Sequence, residues 1–416
     1  SLETMPRWVR YAERGFAFNF IAFSFVMFSC WFPTGFSATF STFAFLFALP
    51  IFVYRIRALE LNPFEKAGLV LFGWLLLSVF WSDAPLTESL GYLSEYRIYF
   101  MLPVLIAALS LNEKTQRFAF FAAMIGAFIA LLTSYGLGLD WWEIEGAKNS
   151  LANRIYHGFI ISCFLLACLL IVRTSDGWVR ATAICVSLLV IYNVLNIETG
   201  RTGYLQIIAV CITFALLTCS RIKAGLIVAS MVFLFGISYV TFDRFQDQVN
   251  LTIANYEKVI TADDYQSSVG QRIEYYRGAI KIGLDHPLTG VGVGDATSTL
   301  QARAEAGEIR LLTDNVHSEF LNMLVIGGFP GLVLFVGVIA SVMFSGIMMQ
   351  PRSTFVGGFL VGLAVIIGVS ALFNSMIKDY GEKHALIIML SLLAAHRGLN
   401  KRSEDVVIRP VQAEST

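Results

Sequence analysis

Apolar runs of bilayer length recur along this chain from one end to the other, and nothing else narrows its fold so far. A helix needs roughly 17–25 largely apolar residues to cross a hydrocarbon core about 30 Å thick. Inside lipid every backbone N–H and C=O must find a partner within the protein, so recurrent runs of that length imply packed helices. Twelve runs are legible, near 15–31, 36–54, 66–81, 97–111, 117–138, 155–172, 179–197, 203–219, 222–242, 317–347, 354–374 and 383–399. Charged residues make up 14% of the chain and mean hydropathy is +0.67, whereas soluble domains carry about 25% charged residues. The sequence therefore predicts an all-α polytopic membrane protein, with about twelve transmembrane helices in a single integral membrane domain over residues 1–416.

The first run is read as a retained span: no small-residue cleavage site follows it, and many further spans do. The run near 317–347 exceeds a single crossing and contains "GGFPG" (Gly327–Gly331), which predicts a kink or break. Six cysteines lie in or beside apolar runs with no C-x-x-C pair. They are read as small hydrophobes, with no disulfide framework.

Basic residues orient the spans. With the N-terminus in the cytoplasm, one set of short loops and the termini holds 17 of the 30 lysines and arginines, and the opposite short loops hold six. The other seven fall in one long connection, residues 243–316, between the ninth and tenth spans. By the positive-inside rule both termini are expected in the cytoplasm and the long loop on the far side. That loop reads as two or three helices. In "SVGQRIEYYRGAIKIGL" (Ser268–Leu284), Val269, Ile273, Tyr276, Ile280 and Leu284 recur at helical spacing. The glycines of "PLTGVGVGD" (Pro287–Asp295) follow as a turn.

Arginines on the translocated side run against the topological bias and call for a reason. Arg201 sits in "IETGRTGYL" (Ile197–Leu205), a hinge between two spans. It is either an interfacial arginine that snorkels or an anion-binding group in a turn whose glycines, Gly200 and Gly203, admit a ligand. Arg272 and Arg277 belong either to a solvated helix face or to the same site. Arg154 in "LANRIYHG" and Arg97 in "SEYRIYF" are either interfacial anchors or cavity lining. His317, flanked by Asp314 and Glu319, opens the tenth span; it is either a hydrogen-bonded structural ring or a proton acceptor. No metal-ligand spacing of the H-E-x-x-H type is present, and no D-x-D, the nearest approach being Glu143-x-Glu145. There is no Walker P-loop, and "GVGVGD" lacks the strand–helix setting of a nucleotide site.

Four segments in order resemble the O-antigen ligase and O-antigen polymerase superfamily of bacterial membrane enzymes. "LANRIYHGFIIS" is similar to the family's Asn-containing entry into a middle span, and "ETGRTGYL" to its Ser/Thr–Arg–Gly hinge, with Gly200-Arg201-Thr202-Gly203 where Ser-Arg-Gly is common. "SVGQRIEYYRGAIKIGLDHPLTGVGVG" is similar to the loop pattern that runs from an arginine through HPl-x-GvG-x-G. "VHSEFLNMLVIGGFPGL" is similar to the histidine-led opening of the next span. The resemblance covers most of the chain. It implies a GT-C-like fold in the bacterial inner membrane with a periplasmic loop and active site. It further implies transfer of a glycan from an undecaprenyl diphosphate carrier, within a setting of membrane lipids and without metal, cofactor or nucleic acid. The ligase branch uses lipid A–core oligosaccharide as acceptor; the polymerase branch uses a second undecaprenyl-linked repeat unit. The compact chain favours the ligase.

The residues suit that chemistry. A lipid diphosphate leaves without protonation, so its charge needs clamping rather than a general acid. Arg201 and Arg272 are the expected clamp, since guanidinium binds phosphate bidentately and keeps its charge. A sugar hydroxyl needs a base; unperturbed histidine, with a pKa of about 6.5, serves near neutral pH. His317 is the expected base for one inverting displacement, with Arg154 and Arg97 as candidate cavity lining. Three rivals remain: a polymerase of repeat units, a transporter of lipid-linked oligosaccharide that uses the arginines for binding alone, and a scaffold membrane protein, which leaves the translocated arginines unexplained. The site model requires His317, Arg201 and Arg272 to lie closer than about 15–20 Å.

Overall fold

A computed structural model describes residues 5–144, 151, 153–197, 200–311, 313, 315–351 and 353–407, with side chains as far as residue 396. Glu145, Lys148, Ala152, Glu198, Thr199, Asp314, Arg352 and Arg409, and the side chains of Arg397, Lys401 and Arg402, lie outside the described residues. No β-strand occurs among the described residues. Among the described residues sixteen α-helices follow one another: α1 (Arg7–Ser29), α2 (Thr34–Arg55), α3 (Pro63–Ser78), α4 (Leu86–Ser94), α5 (Ile98–Leu109), α6 (Glu113–Gly138), α7 (Arg154–Thr174), α8 (Gly177–Asn196), α9 (Arg201–Thr218), α10 (Arg221–Thr241), α11 (Asp243–Ala262), α12 (Ser268–Asp285), α13 (Ala296–Glu305), α14 (Glu319–Met349), α15 (Thr354–Phe373) and α16 (Tyr380–Val407).

Among the described residues nine helices are long and apolar enough to cross a bilayer: α2, α3, α6 to α10, α14 and α15. The pair α4 and α5, bent by 44°, makes a tenth if it counts as one broken span. The two other expected spans, 15–31 and 383–399, fall on α1 and α16. Both are helical, but charge shortens their apolar stretch. Arg7, Arg10, Glu13 and Arg14 occupy the first third of α1, and Glu382 and Lys383 stand at the start of α16. The connection between α10 and α14 folds as three helices, α11 to α13. All six cysteines are free thiols, with Cys163 and Cys168 buried in α7.

The chain divides into two compact units, Ser1–Asn62 with Met101–Gly126 and Ala385–Thr416, and Pro63–Phe100 with Ala127–His384. In the first, α1 packs on α2. Its buried charge is satisfied locally, since Glu13 accepts from Asn112 Nδ2 at 2.6 Å and from Thr115 Oγ1 at 3.4 Å. In the second, α7 packs against α8, α9 and α15, while α14 packs against α3, α12 and α15.

The break in α14 is real. Gly328 has φ 64° and ψ −164° inside the helix, two residues before Pro330. Helix geometry would pair the carbonyls of Val325, Ile326 and Gly327 with N–H groups four residues on, one of which proline lacks. Substitute donors come from elsewhere in sequence. Val291 N–H reaches Val325 O at 2.8 Å, Gly292 N–H reaches Ile326 O at 3.2 Å, and the Trp74 indole N–H reaches Gly327 O at 3.0 Å. Phe329 N–H donates in turn to Pro287 O at 2.8 Å. The segment 287–293 therefore completes the broken helix, and it can lie flush because Gly290 is left-handed at φ 63°. A Cβ there would stand 2.5 Å from Val325 O. Asp295, at the end of the same run, accepts from Ser82 Oγ at 2.7 Å and Asp83 N–H at 2.6 Å. The "GVGVGD" run is thus a docking loop for α14 and the end of α3.

Candidate functional site

Of the spanning helices that begin with arginine, α7 and α9 lie side by side. Arg154 is the first residue of α7, capped by Asn153, whose side chain accepts from Ile155 N–H at 3.0 Å. Arg201 is the first residue of α9, after Gly200. Within the next turn Gly158 of α7 faces Gly203 of α9, so closely that a Cβ on Gly158 would lie 3.4 Å from the Gly203 Cα. Small residues at a crossing let backbones approach, and here they hold the two arginine-bearing N-termini side by side. Gly203 therefore serves helix contact rather than ligand approach, and Gly200, at φ −81°, has ordinary backbone geometry.

Arg201 reaches from the membrane helix into the long loop. Its Nη1 donates to Thr252 Oγ1 of α11 at 3.2 Å, and its Nη2 to Ser268 Oγ, the first residue of α12, at 2.6 Å. Ser267 caps α12 by accepting from Gly270 N–H at 3.1 Å. Arg272 stands one turn further along, and the charges of Arg272 and Arg154 both act on Arg201. The structure thus gathers three guanidinium groups at the N-terminal ends of three helices, each of which adds partial positive charge from its free N–H groups. The side-chain partners of Arg201 among the described residues are hydroxyls, not carboxylates. Such an arrangement repels itself when empty and attracts an anion.

His317 is held by the other part of α12. Its φ is 56°, left-handed, in a non-glycine residue, a conformation in which His, Asn and Asp are enriched but which still requires support. Asn315 Oδ1 accepts from His317 N–H at 2.9 Å and from Ser375 Oγ at 2.6 Å. Flanking bonds run from Ser318 Oγ to Ala371 O at 3.1 Å and from Glu319 N–H to Asn374 O at 3.1 Å. From α12, the Tyr276 hydroxyl is shared between Leu372 O at 2.7 Å and His317 O at 3.2 Å. The Tyr275 ring stacks on the imidazole with centroids 6.0 Å apart and planes at 28°. Burial pushes the Tyr276 phenol up from its ordinary value, partly offset by the Arg272 charge, so it remains a donor. Ser268, which meets Arg201, and Tyr275, which meets His317, are about 10 Å apart along α12 at 1.5 Å per residue, with Arg272 between them.

Arg97 belongs to a second polar cluster. It donates to Ser94 O at 2.9 Å and pairs with Glu95 at 4.0 Å. Glu95 also pairs with Lys383, whose side chain is 1% exposed, and the charge of Arg97 acts on Lys383 and His384. Beside it, the buried Glu319 carboxylate accepts from Tyr96 Oη and Ile377 N–H, both at 3.0 Å. Arg277 pairs with Glu274 at 3.9 Å, and Glu274 also accepts from Arg310 N–H at 3.0 Å, which makes Arg277 part of the loop's own scaffold. Among the described residues no three His, Cys, Asp or Glu side chains converge as a metal-ligand group.

Sequence reasoning missed the residues that carry the geometry. Tyr276 was grouped with an apolar stripe, yet the buried face of α12 is Gly270, Glu274, Tyr275, Gly278, Ala279, Ile282 and Gly283, while Ile280 and Leu284 are exposed. Thr252, Ser268 and Asn315 offered no signal beyond their position. The adjacent tyrosines in "IEYYRG", one turn after an arginine, were the one visible hint.

A family model described as O-Antigen ligase matches residues 185–336. That stretch runs from within α8 to within α14 and contains Arg201, Arg272 and His317; Arg97 and Arg154 lie before it. No curated protein matches the chain.

Proposed function

We propose, from the family-model match over residues 185–336 and the multi-pass helical architecture, that this chain is a ligase of the O-antigen ligase/polymerase superfamily. It transfers an O-antigen glycan from undecaprenyl diphosphate to lipid A–core oligosaccharide at the periplasmic face of the inner membrane. Family members are glycosyltransferase-like enzymes acting on lipid-linked glycans; the donor, acceptor, membrane face and residue roles are our reading. The observation that carries it is the Arg201 cluster, which α12 links over about 10 Å to the partners of His317.

In this reading Arg201 and Arg272 grip the donor diphosphate, with Arg154 and the helix N-termini adding positive charge. The developing leaving-group charge is stabilised without protonation. His317 takes the proton from the acceptor hydroxyl as that oxygen attacks the anomeric carbon. The new glycosidic bond forms as the bond to the diphosphate oxygen breaks, so the anomeric centre inverts.

The test is product formation with purified protein, undecaprenyl diphosphate-linked glycan and rough lipopolysaccharide. Glycan on lipid A–core supports the ligase. Elongation of the carrier-linked glycan alone identifies a polymerase, and binding without any product identifies a transporter.

A further inference from the structure

Arg272, Tyr275 and Tyr276 lie at spacings of three and four residues on α12 and so share one helix face. The tyrosines are adjacent, which sets their side chains about 100° apart around the axis. The segment at His317 is therefore met from two directions. One side chain addresses its main chain, with Tyr276 Oη 3.2 Å from His317 O, and the other addresses its ring, with Tyr275 stacked at 6.0 Å. The same Tyr276 hydroxyl lies 2.7 Å from Leu372 O, near the C-terminal end of α15. Three separate segments meet at one phenol.

We propose that Tyr275 and Tyr276 form a two-point grip that positions His317 relative to the donor-binding arginines, and that this grip, rather than the histidine's own backbone preference, sets the base in register with the diphosphate. This deepens the reading of His317 as the base and rests on it.

Three observations support the grip. The left-handed backbone of His317 is held on both sides, its N–H by Asn315 two residues earlier and its carbonyl by Tyr276 of α12. The helix carrying the grip also carries Arg272, and its first residue binds Arg201. The contacts that reach Arg201 and those that reach His317 are thus made by one rigid helix. Finally, Tyr275 is 9% exposed and its ring lies against the imidazole, so it limits the angle at which that ring faces an acceptor. Neither tyrosine is assigned contact with substrate; both act through His317.

The test compares steady-state transfer by purified Tyr276→Phe, Tyr275→Leu, Tyr275→Phe and His317→Ala, with undecaprenyl diphosphate-linked glycan as donor and rough lipopolysaccharide as acceptor. Small misplacements of a reacting group carry large rate penalties, so Tyr276→Phe and Tyr275→Leu are each expected to lower kcat by about tenfold to a hundredfold with donor KM changed less than about twofold. Tyr275→Phe, which keeps the ring, is expected to restore the rate. Wild-type kcat in Tyr276→Phe and Tyr275→Leu, beside an inactive His317→Ala, overturns the grip and leaves the base assignment standing. Full turnover in His317→Ala overturns the base assignment itself. A donor KM that rises as much as kcat falls also overturns the grip, since the tyrosines would then be acting on the arginines. If Tyr276→Phe does not fold, the contrast between Tyr275→Leu and Tyr275→Phe decides alone.

Discussion

Arg201 Nη2 and Ser268 Oγ lie 2.6 Å apart, and each belongs to the first residue of its helix. A membrane helix and a loop helix are thus joined at their positively polarised ends. The groups proposed to grip a diphosphate depend on that joint as much as on their own charge.

Arginine is expected to be irreplaceable there. Arg201→Ala and Arg272→Ala should each weaken donor engagement by about tenfold to a hundredfold, the worth of a charge-assisted hydrogen bond pair. Lysine at either position should recover little, because an ammonium cannot span two acceptors in a fixed plane. Donor binding to protein in nanodiscs measures this. Wild-type affinity in both lysine variants would refute the bidentate clamp.

His317→Ala should reduce transfer by at least about a hundredfold, the usual contribution of a positioned base, while donor binding is retained. Asn315→Ala should lower activity less and reduce stability by about 1 kcal/mol, because one acceptor serving both His317 and Ser375 is lost. Thermal unfolding and turnover on the same preparations separate the two effects.

Gly290→Ala should be severely destabilising and Gly337→Ala nearly neutral. The first places a Cβ 2.5 Å from Val325 O on a left-handed backbone, and the second meets nothing within 4 Å. Left-handed strain and overpacking together predict a loss of about 2–4 kcal/mol at Gly290. Comparable melting temperatures would show that the loop does not hold the helix break.

Lys383 and Glu95 should show strong coupling in a double-mutant cycle. Removing the Glu95 carboxylate alone leaves a buried ammonium whose remaining partners among the described residues are the carbonyls of Glu95 and Lys378, each at 3.3 Å. The penalty should fall below the roughly 3–5 kcal/mol of a fully buried pair, since the Glu95 side chain is 36% exposed and water screens it. Glu95→Gln with Lys383→Met should be more stable than Glu95→Gln.

Transfer is expected to persist in EDTA, because the proposed clamp supplies its charge from arginine. A strict requirement for a divalent ion would refute that mechanism.

Hydropathy made the spanning helices legible because it is a local property, and Arg154 and Arg201 stood out because they oppose a topological bias. What the sequence concealed depends on contacts between distant segments. Trp74 completes a carbonyl 253 positions away and Tyr276 reaches one 96 positions away, and no local window records either. The buried face of α12 was misread for a related reason. Its contact with α14 and with Ile309 is made through Gly278 and Gly283, where a side chain would collide, so small residues rather than large apolar ones mark the packed side. Arg97 looked like the other translocated arginines and falls in a different cluster because Glu95 and Lys383 claim that corner.

The break at Gly328–Pro330 also works as a depth gauge. From Gly331 to Met349, α14 rises about 28 Å, close to the ~30 Å of the hydrocarbon core. Glu319 to Gly327 adds about 13 Å at the same rise. If the lower segment fills the membrane and the upper one continues outward, His317 stands clear of the acyl chains at the level where a lipid's phosphates reside. In the proposed mechanism a prenyl carrier would then keep its tail in oil and present its diphosphate beside His317.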